Sequence, residues 1–477
     1  MKPGEVGRRA LAASAWVGAV TLVQFAVGLG LQMVMARLLA PEVFGAFAFV
    51  LLVQGFVASF RTIQAGEFLV CQGEDWRRAY HTVFTVDLVL STFTTLVVVA
   101  GAGPIMRLAG SGTLANPLAV SVLACLVAPF GTVGVLFQRE LDWSALSRAR
   151  VVGLVIGPVL KVGLALAGAG IYCLVIGEVG RQAAEIAVLW FTARERPRFG
   201  VDRAVLKAAL AFSLPLSLNG LLTYYYWKVD DFVVGRTLGM AALGHYWLAF
   251  RIPEYMMMLK GHFVPVVFAA FARLEDIEDR KEAFRRLTRL TALAFFPLAL
   301  VSLVLGDTLI ISMFGEQWKP AVPPFQLLML ASALRLTTSY AADLYKVSGR
   351  TWVFPVTGGL HALLLTLGVV ASTRAFGITG TGLAVLLMVT LSLPLTEVLL
   401  WRWFSVSPCR LLVRPVAVLA VTTLLGAAAR ARLDLTAPLP ALAAGLVLAL
   451  LYVGLLRAVD PDTAADLAWV IAARRRA

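Results

Sequence analysis

The sequence is poor in the residues and motifs that soluble enzymes, secreted scaffolds and metal proteins use. Only 15% of its 477 residues are charged, whereas a soluble protein has ~25%. Four cysteines and four histidines are scattered without CxxC or HxxxH spacing, so neither a disulfide framework nor a metal site is predicted. The motifs GxxxxGKS/T, HExxH and GxSxG are absent too, which leaves no signature of a P-loop ATPase or of a hydrolase. We therefore expect no catalytic residue, no metal and no cofactor.

Hydrophobic residues dominate instead. They make up 60% of the chain and give a mean hydropathy of +0.83, and apolar runs recur at the length of ~20 residues that crosses a bilayer. This pattern predicts an all-α polytopic membrane protein with about fourteen transmembrane helices. The predicted spans cover residues 10–36, 44–63, 82–105, 117–137, 151–169, 171–192, 208–227, 242–271, 290–313, 322–345, 352–372, 379–401, 413–429 and 439–457.

The distribution of basic residues predicts the orientation of these spans. The net charge is +14, but the Lys and Arg residues lie between apolar spans rather than in one cluster, so nucleic acid is not an expected partner. With a cytoplasmic N-terminus, 28 of them fall in cytoplasmic segments and 8 in outer loops. This bias is what the positive-inside rule predicts. We therefore expect both termini in the cytoplasm.

Two predicted outer loops share a sequence pattern. Arg37 is followed eight residues later by Gly45, and Arg236 is followed eight residues later by Gly244. In both loops an aromatic residue lies two positions beyond the glycine. The pattern favours an internal duplication, with spans 1–6 and 7–12 as two lobes of like orientation. Glycine and arginine are also common in tight interfacial turns, which remains an alternative explanation.

The duplication predicts the domain division. It gives residues 1–193 as the N-terminal lobe, 194–207 as a cytoplasmic linker, 208–402 as the C-terminal lobe, 403–457 as an extra helix pair and 458–477 as a basic cytoplasmic tail. Two six-helix lobes with a cleft between them are typical of transporters that work by alternating access. Residues 272–290 have an apolar face and a charged face, so we interpret them as a helix lying on the cytoplasmic leaflet.

Some charged residues inside the predicted spans have partners on their own helix. An unpaired charge at the membrane centre costs ~2.5–3.5 kcal/mol or more. Arg181 lies three residues after Glu178 and four residues before Glu185, and Arg251 lies three residues before Glu254. Because such spacings place both charges on one helix face, we predict structural ion pairs at both positions.

Four other cations in the spans lack a carboxylate at that spacing. We expect Lys161, Lys260 and Arg335 to face a hydrated central cavity. Arg61 is a further candidate, although its place near a span end also suits a side chain that reaches the interface. A cationic cavity suits an anionic substrate group such as a phosphate or a uronic acid. Asp87 in the third span is a candidate proton or sodium relay, or a cap for a cation across the cleft.

Two segments carry a resemblance to a known family. The stretch from Met35 to Phe49 resembles the first-loop signature of bacterial polysaccharide biosynthesis exporters, and the stretch from Trp227 to Tyr246 resembles the matching motif of the second lobe. These exporters are the Wzx-type lipid-linked oligosaccharide flippases of the multidrug/oligosaccharidyl-lipid/polysaccharide exporter superfamily. The resemblance implies a MATE-like fold of two six-helix lobes plus a C-terminal helix pair, in the bacterial inner membrane.

The same resemblance implies a function and its partners. It implies a flippase that moves undecaprenyl-pyrophosphate-linked repeat units from the inner to the outer leaflet, for exopolysaccharide, capsule or lipopolysaccharide O-antigen assembly. The expected partners are the lipid-linked glycan, membrane lipids and the polysaccharide polymerase machinery. Two alternatives remain at this point. A cation-coupled multidrug exporter would have unpaired carboxylates in its cavity, and a glycan polymerase or ligase would need a large outer loop with catalytic polar residues, whereas the predicted outer loops are short.

Overall fold

The computed structural model describes residues 23–61, 65–70, 76–140, 142–261, 264–433, 435 and 437–476. These residues form helices and the turns between them, and none of them forms a β-strand. In this part of the chain, 9 helical segments are long and apolar enough to cross a membrane, judged by length and composition. The chain divides into two compact units, and the boundary in the sequence falls between Gly244 and His245. Each unit is described by itself below.

The described residues of the first unit form ten α-helices and the start of an eleventh. They are α1 (Val23–Leu38), α2 (Pro41–Arg61), α3 (Ala65–Val70), α4 (Trp76–Leu108), α5 (Ala115–Ser121), α6 (Leu123–Val127), α7 (Gly134–Arg139), α8 (Trp143–Leu166), α9 (Ile171–Thr192), α10 (Arg203–Leu238) and α11 (Met240–Ala249). Asp142 and Asp202 begin α8 and α10, since each carboxylate accepts hydrogen bonds from two backbone N–H groups of the first turn.

The second unit contains the remaining helices. They are α12 (Arg251–Gly261), α13 (Val264–Arg273), α14 (Ile277–Phe314), α15 (Val322–Thr338), α16 (Ala341–Val347), α17 (Val353–Phe404), α18 (Pro408–Arg430), α19 (Pro438–Val459) and α20 (Pro461–Arg476). On α18 and α19 many leucines are exposed, as expected for surfaces in contact with lipid. Arg430 at the end of α18 forms an ion pair with Asp307 of α14.

Each predicted span overlaps a helix or a series of short helices. The 52 residues of α17 contain the predicted spans 352–372 and 379–401, because a kink at Gly377, where φ is +61°, divides the helix. Residues on either side of the kink lie side by side, with the Ser372 hydroxyl donating to the carbonyl of Gly380 at 2.7 Å. The boundary predicted between these two spans is therefore confirmed.

Three predicted spans are not single helices. Span 322–345 consists of α15 and α16. Span 117–137 consists of α5, a short α6, a 3₁₀ segment (Ala128–Val133) and α7, and the 3₁₀ segment contains Pro129 at its first turn. Proline has no backbone N–H to donate and favours such irregular turns. Span 242–271 consists of α11, α12 and α13. The apolar composition of these segments predicted membrane spans but did not show where the helices are interrupted.

The first unit extends beyond the predicted linker and includes α10. The ring of Phe232 on α10 stacks on Phe49 of α2 with centroids 6.2 Å apart, and the Tyr224 hydroxyl donates to the Leu52 carbonyl at 2.6 Å. Through these contacts α10 packs against α2, which explains why it belongs to the first unit. The lobe boundaries at residues 193 and 208 follow from the proposed internal duplication, and they stay a prediction.

The two glycines of the repeated pattern contact each other within the first unit. A Cβ on Gly45 would overlap the carbonyl oxygen of Met240, and a Cβ on Gly244 would overlap the carbonyl oxygen of Pro41. The contact is reciprocal, since each glycine lies against the residue four positions before the other. Glycine is therefore required at both places by the close approach of two backbones.

The segment 272–290 does not form a separate helix on the membrane surface, so that interpretation is wrong. Residues from Ile277 onward belong to α14, which continues without a break to Phe314. Phe284 on the apolar face is completely buried in a cluster with Phe271, Leu344 and Phe404. The apolar face is thus covered by protein instead of lipid.

Candidate functional site

Two intramembrane cations of the first unit, Lys161 and Arg181, lie in a cluster between α8 and α9. The ammonium of Lys161 on α8 pairs with Glu178 on α9 at 3.1 Å, and the Lys161 side chain is only 14% exposed. Glu178 also pairs with Arg181, which in turn pairs with Glu185, both at 2.5 Å. We call Lys161, Glu178, Arg181 and Glu185 the first cluster. Its two cations and two carboxylates alternate along a single chain of contacts.

Glycines make room for this cluster. A Cβ on Gly177 would overlap the aliphatic part of Lys161, and one on Gly153 would overlap the carboxylate of Glu185. The missing side chains let long charged residues of one helix lie against the backbone of the other. The tight α8–α9 turn, which includes Gly168 and Gly170 at positive φ, brings the two helices together over their whole length.

The ion pairs predicted on single helices are confirmed. Arg181 pairs with both Glu178 and Glu185, and Arg251 pairs with Glu254 at 2.7 Å. The partner of Lys161 was not predicted, because periodicity within one helix cannot show a residue of the next. A signal was present, since Lys161 and Glu178 are almost equidistant from the short turn at residues 167–170.

The second unit contains a cluster of a different kind around Lys260 of α12. This side chain is 7% exposed. Its ammonium donates to the hydroxyl of Ser339 and lies 4.1 Å from the centre of the Tyr340 ring. An aromatic ring face attracts a cation, most strongly where water is excluded. The direct contacts of Lys260 within the described residues are therefore with a neutral oxygen and a π system.

Other charges surround Lys260 without pairing with it directly. The buried carboxylate of Asp343 pairs with Lys346 at 3.5 Å. Arg335 on α15 is close enough to interact electrostatically with Lys260 and with His361 on α17. We call Lys260, Arg335, Asp343 and Lys346 the second cluster. These four residues are three cations and one carboxylate.

The remaining predicted site residues are placed as follows. Asp87 is half-buried on α4 and accepts a hydrogen bond from Ser91 at 3.4 Å. Arg61 ends α2, but its side chain lies outside the described part of the structure. The structure brings Lys260 and Arg335 together in the second unit, whereas Lys161 and Asp87 belong to the first. Their roles as substrate-binding and relay residues stay predictions.

The adjacent acidic pair Asp230–Asp231 is occupied by contacts of its own. Both residues are buried. Asp231 pairs with Lys228 at 2.7 Å, and its backbone N–H donates to the carboxylate of Asp230 at 3.0 Å. These contacts give the pair a structural role on α10.

Comparison with known proteins decides the family. A family model described as polysaccharide biosynthesis protein matches residues 34–323, more than half of the chain. The chain belongs to this family. The chain is 26% identical over 312 residues to the succinoglycan biosynthesis transport protein ExoT of Rhizobium meliloti, a match that covers 63% of this chain and 62% of that protein. The match therefore spans less than two thirds of that relative.

A second relative is matched over a larger share. The lipopolysaccharide biosynthesis protein WzxC of Escherichia coli is 21% identical over 385 residues, which is 80% of this chain and 78% of that protein. These relatives carry names of transport and polysaccharide biosynthesis proteins.

Solved structures confirm the fold of this family member. The lipid II flippase MurJ in an inward closed conformation has a TM-score of 0.70 at 12% identity, covering 91% of this chain and 97% of that one. An inward-facing multidrug resistance transporter of the MATE family has a TM-score of 0.59 at 16% identity, covering 81% and 98%. The predicted all-helical, MATE-like, multi-pass membrane fold is therefore confirmed, while the count of fourteen spans stays a prediction.

Proposed function

We propose that this protein flips undecaprenyl-pyrophosphate-linked oligosaccharide repeat units from the inner to the outer leaflet, for exopolysaccharide, capsule or O-antigen assembly. The observation that carries the proposal is the buried ammonium of Lys260, whose direct contacts are a neutral hydroxyl and an aromatic ring, while the nearby carboxylate of Asp343 pairs with Lys346. Burying a cation whose direct contacts are neutral is costly unless an anion joins it. A pyrophosphate group supplies that anion.

The physical task fits a polytopic helical protein. The polyprenyl tail is soluble in the ~30 Å hydrocarbon core, whereas the sugars and the pyrophosphate are not. Moving negative charge outward across an inside-negative membrane is favourable by about 2.3 kcal/mol per charge per 100 mV. Net export can therefore proceed without ATP, and the proposed activity is transport rather than catalysis.

The comparisons support this assignment. ExoT is named as a transport protein of succinoglycan biosynthesis, and MurJ, which shares the fold, is named as a lipid II flippase. We place the protein in the bacterial inner membrane with both termini in the cytoplasm, because 28 of its Lys and Arg residues then fall on that side. Its proposed partners there are the lipid-linked glycan and the polymerase machinery.

The proposed site consists first of Lys260 and Arg335. Arg61 is proposed as a further cation of the transport path and Asp87 as a relay for a coupling ion, while Lys161, which is already paired with Glu178, is proposed to contribute less to transport than Lys260. The proposed mechanism is alternating access by two six-helix lobes. The reciprocal contact of Gly45 and Gly244 supports two related lobes, because equivalent positions of a duplicated motif meet across a pseudo-twofold axis.

The experiment that tests the function is to measure lipid-linked oligosaccharides in cells with and without the gene. We expect complete repeat units to accumulate on the cytoplasmic leaflet of the deletion strain, and Lys260→Gln to behave like the deletion. Lys319→Gln changes an exposed lysine and serves as the matched control, with wild-type pools expected. Accumulation on the outer leaflet would contradict flipping and indicate a polymerase or ligase, and an unchanged pool would contradict both glycan functions.

A further inference from the structure

A cavity in the first unit has no role in the site described above. Its volume is about 510 Å³, within the range of small-molecule sites, which measure ~300–1,000 Å³. It lies where the predicted cytoplasmic ends of several helices meet: the start of α4, the end of α7, the start of α8 and the end of α9. Its lining includes Trp76, Arg77, Glu140, Arg148, Arg194 and Glu195.

One wall of the cavity is formed by the chain that follows α9, and this chain is fixed to α4. The backbone N–H groups of Arg198, Gly200 and Asp202 donate to His81, Thr85 and Thr82 respectively, each at 3.0 Å. At the start of the same segment, Glu195 accepts hydrogen bonds from Arg77, the shortest at 2.7 Å. The segment between the two predicted lobes is therefore held along one face of α4, and the cavity wall is a built feature.

The lining has a balanced charge. Three guanidinium groups, from Arg77, Arg148 and Arg194, oppose the three carboxylates of Glu140, Asp142 and Glu195. Within the described residues, no hydrogen bond or ion pair holds the charged ends of Glu140, Arg148 or Arg194. These groups offer strong donors and strong acceptors side by side, with the half-buried indole of Trp76 beside them. A multiply charged anion would meet carboxylates here as well as guanidinium groups.

We propose that this cavity binds the neutral sugar units of the lipid-linked glycan on the cytoplasmic side, separately from the pyrophosphate group. Each sugar hydroxyl can donate one hydrogen bond and accept others, so it fits a lining in which acceptors and donors alternate. The balanced charge gives no net attraction for phosphate, in contrast to the second cluster. This inference rests on the proposed flippase function and adds a subsite that selects the headgroup.

The test uses the full-length protein in lipid nanodiscs, because sugar-based detergents would compete for the cavity. The probe is the oligosaccharide released by mild acid from the lipid-linked intermediates of the source cell, and its binding is measured by saturation-transfer NMR. We expect Glu140→Gln and Arg148→Ala each to weaken binding about tenfold, since each removes a charged hydrogen-bond partner. Arg78→Ala is the matched control, because Arg78 is exposed next to the cavity without lining it, and it should bind like the wild type.

Two results would overturn the inference. One is undiminished oligosaccharide binding in both Glu140→Gln and Arg148→Ala. The other is displacement of the oligosaccharide by excess inorganic pyrophosphate, which would show an anion site. Failure of the proposed flippase function is distinguishable from failure of this inference. If the flippase function is wrong, the lipid-linked pool of the deletion strain is unchanged. If only this inference is wrong, that pool still rises in the deletion strain, and the Glu140→Gln and Arg148→Ala variants export the glycan as the wild type does.

Discussion

The two charged clusters look alike in the sequence and differ in the structure. Lys161 and Lys260 are both lysines in apolar segments without a carboxylate at helical spacing on their own helix. In the first cluster, however, α9 supplies Glu178 as a direct partner at 3.1 Å. In the second cluster, the neighbouring segment supplies the hydroxyl of Ser339 and the ring of Tyr340.

We interpret the charges of the first cluster as holding helices together, and under the proposed function Lys260 of the second cluster is available to a ligand. The first cluster is balanced, so its carboxylates already stabilise its cations, and removal of one member leaves another charge buried without its partner. In the second cluster the buried ammonium of Lys260 contacts only neutral groups directly within the described residues, and we propose that a bound anion stabilises it. We therefore expect substitutions in the first cluster to lower stability and substitutions in the second to lower transport.

The largest expected effect is a loss of stability in Glu178→Gln. This change removes the carboxylate shared by Lys161 and Arg181, and we expect it to lower the free energy of unfolding by about 3 kcal/mol, since breaking a buried ion pair costs ~3–5 kcal/mol. The measurement is unfolding in mixed micelles by denaturing detergent. Glu254→Gln is the control, because its carboxylate is more exposed at 38% and serves a single arginine. Equal losses in both variants would contradict a special role for the first cluster.

A further cluster lies near the start of α14, where Arg286 and Arg289 pair with the carboxylates of Asp466 and Glu282, and it shows whether balanced charge marks structure elsewhere. Asp466 of α20 is 3% exposed and pairs with Arg289 at 2.6 Å and Arg286 at 2.9 Å. We expect Asp466→Asn to loosen α20 by about 2 kcal/mol, or roughly 30-fold faster amide exchange at residues 461–468. Exchange in α19 should stay unchanged. Unaltered exchange in α20 would show that this cluster does not hold the helix.

A smaller expected effect, and one of a different kind, is a loss of transport in Lys260→Gln. We expect export to fall about tenfold, because a charged hydrogen bond to the pyrophosphate is lost, while stability is maintained or rises as an uncompensated buried charge disappears. Initial export rates and unfolding are measured on the same preparation. A fall in stability with no fall in export would reverse the assigned roles of the two clusters.

The smallest expected effect on stability concerns an exposed ion pair, which serves as the reference for the buried ion pairs of Glu178 and Asp466. Arg77 lowers the pKa of Glu195 through its hydrogen bonds, and both side chains are well exposed, at 62% and 43%. A depressed pKa means that the pair adds stability above the usual pKa of a glutamate, ~4.3, and loses it as the pH falls through the lower value.

Because solvent screens this pair, we expect Arg77→Ala to change the unfolding midpoint hardly at all at pH 7. The small difference from wild type should vanish once the pH falls below the lowered pKa of Glu195, where that carboxyl is protonated in both proteins. Unfolding of the two proteins between pH 3 and 7 checks this. A loss as large as that of Glu178→Gln would contradict the distinction between exposed and buried pairs.

Hydrophobicity and charge predicted the positions of most helices, because each span must by itself be apolar enough to enter the bilayer and must satisfy its own backbone hydrogen bonds. The division of α17 at Gly377 and the pairs of Arg181 and Arg251 followed from local patterns. The partner of Lys161 and the burial of Phe284 depend on a neighbouring helix. A periodicity within one helix carries no information about such a neighbour, so it could not distinguish a lysine in an ion pair from one beside a hydroxyl.

The most direct test compares the two lysines in reconstituted vesicles. The initial rate at which lipid-linked oligosaccharide reaches the opposite leaflet is measured for the wild type, Lys260→Gln and Lys161→Gln, each adjusted to the same amount of folded protein. We predict about a tenfold slower rate for Lys260→Gln and a clearly smaller change for Lys161→Gln, whose Glu178 keeps Arg181 as a partner. A wild-type rate for Lys260→Gln would contradict the account.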